Sequence, residues 1–155
     1  MDQRRGSVLL VEDDPNDVAL TQRAFERAGF ANPLQVLSDG EQAIGYLGGE
    51  VSYADRNRYP LPILVLLDLK LPRTSGFEVL AWIRGAPNIR RLPVVVLTSS
   101  QQSPDIDRAY DAGANSYLVK PVAFESLLSL VQTLGLYWFM TNQGPAIAES
   151  GPHPR

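Results

Sequence analysis

Four apolar runs in this chain each end in a side chain suited to phosphate or metal chemistry. Ser7-Val8-Leu9-Leu10-Val11 leads into Glu12-Asp13-Asp14, and Ile63-Leu64-Val65-Leu66-Leu67 leads into Asp68. Val94-Val95-Val96-Leu97 leads into Thr98, and Ser116-Tyr117-Leu118-Val119 into Lys120-Pro121. A buried, isolated carboxylate is costly because desolvation disfavours its charged form. Glu12, Asp13 and Asp68 brought together would either raise one another's pKa or recruit a cation. A hard divalent ion held by a few carboxylate oxygens and several waters is the Mg²⁺ pattern, and such an ion can ligate the oxygens of an incoming phosphoryl group. Asp68 could then act as nucleophile, with Lys120 neutralising charge and the Thr98 hydroxyl donating to a phosphoryl oxygen.

Taken singly, each feature has a plainer reading. An Asp after a strand commonly caps a turn or helix, and acids such as Glu12-Asp13-Asp14 suit the first turn of a helix. Lys120-Pro121 fits any strand-to-helix turn, and Thr98-Ser99-Ser100 any polar loop. The site rests on their falling together.

That conjunction depends on the elements. Short unbroken apolar runs bounded by turn residues predict strands buried on both faces, as in a parallel sheet. Pro15 after Asp14, a stripe at Val18, Ala24, Phe25 and Ala28, and a stop at Gly29 predict a helix over 15–28. Leu34–Ser38 reads as a second strand, and Asp39-Gly40 opens a helix through Ala43, Ile44 and Leu47 to Gly48-Gly49. A third helix carries Phe77, Leu80 and Ile83. Ser103-Pro104-Asp105 repeats the cap-then-proline signal for a fourth, running to Gly113. The last helix has a core stripe at Phe124, Leu127, Leu128, Val131 and Trp138. A second apolar stripe at Leu130, Leu134 and Tyr137 implies a partner surface, or a tail folded back over its own core. The connection 48–62, at about 15 residues, exceeds the usual loop and reads as a contact surface or a disordered segment.

Five strands alternating with five helices make a doubly wound α/β sandwich around a five-stranded parallel sheet with right-handed crossovers. In such a sheet the carboxyl ends of the strands share one edge, where ligands bind. The boundaries predicted are an N-terminal extension over 1–6, one domain over 7–140 and a Gly/Pro-rich, disordered tail over 141–155.

With 155 residues and 45% hydrophobic content the chain suits one domain. A net charge of −3 supplies no case for nucleic acid or a membrane surface. The absence of cysteine excludes disulfides and thiolate metal sites, and the single histidine, His153, sits in the tail, poorly placed as a base or ligand. The first apolar run is too short for a signal peptide or a membrane span, so a cytoplasmic location is the default.

The four motifs together resemble receiver domains of two-component response regulators, over roughly residues 7–138, and the resemblance implies their flavodoxin-like (βα)₅ fold. It implies that Asp68 is the phosphoacceptor, charged by a histidine of a sensor kinase. Asp13 and Asp68 would be direct Mg²⁺ ligands, Glu12 would act through water, and the backbone carbonyl of Lys70 would complete the site. Thr98 and Tyr117 match the family's switch pair, and Lys120 the lysine that pairs with the phosphoryl group, with a cis Lys120–Pro121 bond. Two positions depart from the common pattern: Lys70 is a cation where many receivers carry a neutral side chain, and Glu12 is one methylene longer than the commoner Asp.

A narrower resemblance, to the single-domain regulators that partner phytochrome-type histidine kinases, rests on Glu12 to Asp17, the connection before Pro60-Leu61-Pro62, Val94 to Ser100, and Tyr137-Trp138-Phe139. It implies a homodimer through the last helix, using Leu130, Leu134, Tyr137, Trp138 and Phe139. The expectation is a stand-alone response regulator, not an enzyme beyond Mg²⁺-dependent self-phosphorylation and dephosphorylation, which signals through its own surface because the stretch after the last helix is too short for an output domain. The alternatives are a phosphorelay intermediate that passes its phosphoryl group to a histidine phosphotransfer protein, or a receiver-like interaction module that is never phosphorylated. An aspartyl-phosphate phosphatase would need a second acid soon after the nucleophile, and Leu69-Lys70-Leu71 offers none.

Overall fold

The computed structural model describes residues 6–142 and 144–147. The first five residues and His153 lie outside them. Five strands, β1 (Val8–Val11), β2 (Leu34–Leu37), β3 (Leu64–Leu67), β4 (Val94–Thr98) and β5 (Ser116–Val119), alternate with five helices. These are α1 (Pro15–Ala28), α2 (Gly40–Gly48), α3 (Gly76–Gly85), α4 (Ser103–Asp111) and α5 (Phe124–Gly135). The strands form one parallel sheet in the order β2-β1-β3-β4-β5, the flavodoxin-like arrangement expected from the sequence.

Alternation along the strands divides the core in two. Val8 and Leu10 of β1, Leu64 and Leu66 of β3 and Val95 of β4 pack with Ala24 and Phe25 of α1 and Leu127, Val131 and Leu134 of α5. Leu9, Val11, Val65, Leu67, Val94 and Val96 face the other way, onto residues of α2, α3 and α4. The three central strands are fully buried, as continuous apolar runs require.

Local chemistry sets the helix starts. Asp14 accepts from Asn16 N–H at 2.8 Å with Pro15 in the first turn of α1, and Asp39 accepts from Gln42 N–H at 2.7 Å at the start of α2. At α4 the expectation shifts by one residue. The cap position is Gln102, without a side-chain hydrogen bond, and Ser103 and Pro104 are already helical.

Three further readings need revision. The 48–62 connection is ordered on the flank of α2. It contains a 3₁₀ turn at Val51–Tyr53, the rings of Tyr46, Tyr53 and Tyr59 meet at 5.1–6.0 Å, and Arg56 donates to the carbonyls of Tyr46, Leu47 and Tyr59. The tail is not disordered throughout, because Ile147 packs against the core. No peptide bond among the described residues is cis, so Lys120–Pro121 is trans.

The last helix also differs from its predicted faces. Leu134 follows Leu127 by seven residues and Val131 by three, which places it on the core face, where it is buried. Beyond Gly135 the chain widens into a π-helical turn, Leu136–Thr141, closed by Asn142 N–H donating to Tyr137 C=O at 2.7 Å. The extra residue per turn swings Phe139 inward, where it is 3% exposed and meets Phe30 edge-on at 5.2 Å and Phe25 at 6.3 Å. Leu134 and Phe139 are therefore packed into the core of their own chain. Leu130 and Trp138 are half-buried, and Tyr137 is 52% exposed.

Candidate functional site

Strand register brings the expected residues to one edge. Val11 pairs with Leu67, so Glu12 and Asp68 are the next residues on neighbouring strands, and Asp68 N–H donates to Val11 C=O at 3.1 Å. Thr98 pairs with Val119, so Lys120 is the first residue past β5, its N–H donating to Thr98 C=O at 2.8 Å. Glu12, Asp68 and Lys120 continue the parity of Leu10, Leu66 and Leu118, the face covered by α1 and α5. Thr98 and Tyr117 continue the opposite parity, toward α4.

Glu12, Asp13 and Asp68 each offer a carboxylate oxygen, and these atoms lie within 4.8 Å of one another. Glu12 and Asp68 are buried, and Asp13 is exposed. Lys120 Nζ pairs with Glu12 Oε1, and donates to Asp68 Oδ2 at 3.0 Å and to Asp17 Oδ2 at 2.9 Å. Burial above all pushes the Glu12 carboxyl up to about 7; the hydrogen bond from Lys120 offsets part of this, and the charge of Asp68 adds to it. Burial alone would lower Lys120, but its hydrogen bonds to Glu12, Asp17 and Asp68 outweigh that and hold it above the ordinary lysine value. The ammonium is thus a firmly charged counter-ion inside an acidic cluster.

The donor set suits a hard divalent cation: three carboxylates, two of them buried, and no nitrogen or sulfur ligand. Lys70 lies two residues further on, and its N–H donates to Asp68 Oδ1 at 3.4 Å. The loop after Asp68 is held tightly from below. A side chain at Gly76 would collide with Asp68 C=O, and one at Gly40 with Thr74 C=O, so glycine is required at both close approaches.

Thr98 is wholly buried, and its hydroxyl has no hydrogen-bond partner among the described residues. Tyr117 packs against the α2–α4 side of the core, and its hydroxyl donates to Ser100 C=O at 3.0 Å. Ser100 in turn donates to Asp105 Oδ2 of α4 at 2.6 Å, which links β5, the loop after β4 and α4.

Sequence reading missed Asp17, Ser100 and Asp105. Asp17 lies at the third position of α1, where an acid is expected for the helix dipole alone. Ser100 and Asp105 belong to a polar loop and a helix start, where such residues are unremarkable.

The response regulator receiver domain model matches residues 8–132. The chain belongs to the response regulator receiver family. Among curated proteins, this receiver is 43% identical to the probable methanogenesis regulatory protein FilR2 of Methanothrix harundinacea, over 91% of this chain and 88% of that one. It is 37% identical to the response regulator Rcp1 of Synechocystis, over 90% and 92% of the two chains. Among solved structures it is similar to the phosphorylated cyanobacterial phytochrome response regulator RcpA, with a TM-score of 0.85 at 35% identity, covering 92% of this receiver and 99% of that chain. The Mn²⁺-bound form of Rcp1 superposes with a TM-score of 0.81 at 37% identity, over 91% and 99%. Receiver domains bind a divalent metal, and the acidic cluster of this receiver has the composition for one.

Proposed function

We propose that this receiver accepts a phosphoryl group on Asp68 from a phosphohistidine of a sensor kinase and signals through its own surface. The observation that carries this reading is the Lys120 ammonium 3.0 Å from Asp68 Oδ2, beside three carboxylates whose oxygens converge within 4.8 Å. In the transfer, an Asp68 carboxylate oxygen attacks phosphorus and the P–N bond to the donor imidazole breaks. The leaving nitrogen keeps the electron pair.

Glu12, Asp13, Asp68 and the backbone carbonyl of Lys70 would hold Mg²⁺, directly or through water. When bound, the ion supplies charge neutralisation for the phosphoryl oxygens. Lys120 pairs with one phosphoryl oxygen, and the unpartnered Thr98 hydroxyl turns to another. That movement vacates space behind β4, and Tyr117 exchanges its Ser100 bond for an inward position. Phosphorylation adds roughly two charges at Asp68. Driving the switch almost completely requires about 5.5 kcal/mol of differential interaction, which these contacts are placed to provide.

The relatives support a kinase of the phytochrome type as donor, since RcpA is a phytochrome response regulator and this chain spans 99% of it. The receiver pairs with a second copy along the outer face of α5 and the π-helical turn, through Leu130, Tyr137 and Trp138. Incubation with Mg²⁺ and acetyl phosphate, followed by intact mass, tests the central claim. A single phosphoryl group is expected on the native chain and none on Asp68→Asn; equal acceptance by the variant refutes the assignment.

A further inference from the structure

Resting on the reading of Asp68 as acceptor, we infer that Asp17 is a positioning residue for the reaction, acting as the fixed anchor about which the Lys120 ammonium pivots. An ammonium has three N–H donors and no acceptor. In this structure all three directions are taken, by Glu12 Oε1, Asp17 Oδ2 and Asp68 Oδ2. Two of those partners have another task, because Glu12 and Asp68 belong to the group of oxygens that converge for a cation and Asp17 does not. Formation of the acyl phosphate also removes the carboxylate charge of Asp68.

Asp17 alone is therefore free to hold the ammonium before and after transfer. Its position suits an anchor. It lies in the first turn of α1, whose start is set by the Asp14 cap and Pro15, and α1 packs against α5 on the sheet face where Lys120 emerges. Lys120 reaches it from the end of β5 with its side chain 14% exposed, so the pair is shielded on the ammonium side and open on the carboxylate side. Without Asp17 the ammonium would settle wholly on Glu12 and Asp68. It would then compete with the cation for their oxygens and lean away from the incoming phosphoryl group.

A double-mutant cycle on the rate of phosphoryl acceptance from acetyl phosphate separates this role from a structural one. Asp17→Asn is expected to slow acceptance about fivefold in the native background and to change it less than twofold in Lys120→Ala. Asp17→Glu should recover most of the rate. Asp14→Asn, which keeps the cap and removes an equal charge one turn away, should leave it unchanged. As a readout independent of transfer, the Lys120 ammonium ¹⁵N resonance should show slowed proton exchange in the metal-free native protein and in Asp14→Asn, and lose it in Asp17→Asn. Equal slowing by Asp17→Asn with and without Lys120, or no slowing at all, would overturn the inference while leaving Asp68 as acceptor. Failure of the native chain to accept a phosphoryl group would overturn both readings, a result told apart by its appearance before any Asp17 variant is made.

Discussion

The side chains at the sheet edge divide between those whose charges are already balanced and one that is left wanting. Lys120 is saturated by three carboxylates, whereas Thr98 is buried with a hydroxyl that has no partner among the described residues. A buried hydroxyl without a partner costs about 1–3 kcal/mol, so its native position is a standing disadvantage to the fold. Thr98→Val, of nearly the same shape, should be at least as stable in urea unfolding, with a gain of up to about 1 kcal/mol, while phosphoryl acceptance falls. A clear loss of stability would mean that the hydroxyl serves the resting fold. At this scale the acids, Thr98 and Lys120 were legible because each ends an apolar run. Asp17 was not, since an acid in a first turn needs no further reason to be there.

At the scale of elements, two segments were decided by packing that periodicity does not encode. The π-helical turn brings Phe139 onto Phe25 and Phe30, and Gly135 is the residue that lets the Phe30 ring approach, since a Cβ there would run into it. Phe139→Ala should cost about 3–5 kcal/mol by denaturant titration. A loss below about 1 kcal/mol would place Phe139 at the surface after all.

The 48–62 connection is ordered by Tyr46, whose hydroxyl donates to Pro60 C=O at 2.9 Å. Burial raises the Tyr46 phenol above its usual value, with Arg56 opposing and Tyr53 and Tyr59 adding to the rise. The unfolded chain thus releases this proton first, from about pH 10 upward, and native stability falls as pH rises beyond that point. Tyr46→Phe should cost about 1 kcal/mol at neutral pH through the lost hydrogen bond, yet show a shallower loss of stability above pH 10. The pH dependence of urea midpoints for both proteins checks this, and parallel curves would contradict it.

Over the whole molecule the two ends of the sheet do different work. The carboxyl edge gathers the acidic site, while Gly144, Pro145 and Ile147 lie near the opposite edge, lining a small cavity with Ile63, Leu92 and Pro93. Among the described residues no helix is long and apolar enough to cross a membrane. With Leu134 and Phe139 turned inward, the outer face of α5 and the turn beyond it leave Leu130 half-buried and Tyr137 and Met140 exposed, the surface proposed above to meet a second copy. Light scattering should therefore find a dimer that Leu130→Glu with Tyr137→Glu converts to monomer at unchanged circular dichroism. A dimer that survives both substitutions would move the interface elsewhere.

The amino-acid sequence by itself determined the alternation of strands and helices, the single parallel sheet and the identity of the edge residues. Strands buried on both faces must be continuously apolar, and any polar residue that ends one stands out. Only the tertiary structure decided which acid would share Lys120, which apolar residues of the last helix would face inward, and whether the long connection would be ordered. Those outcomes depend on the register between distant strands and on a widened helical turn. Both are set by contacts among residues far apart in the chain, which no local pattern of spacing records.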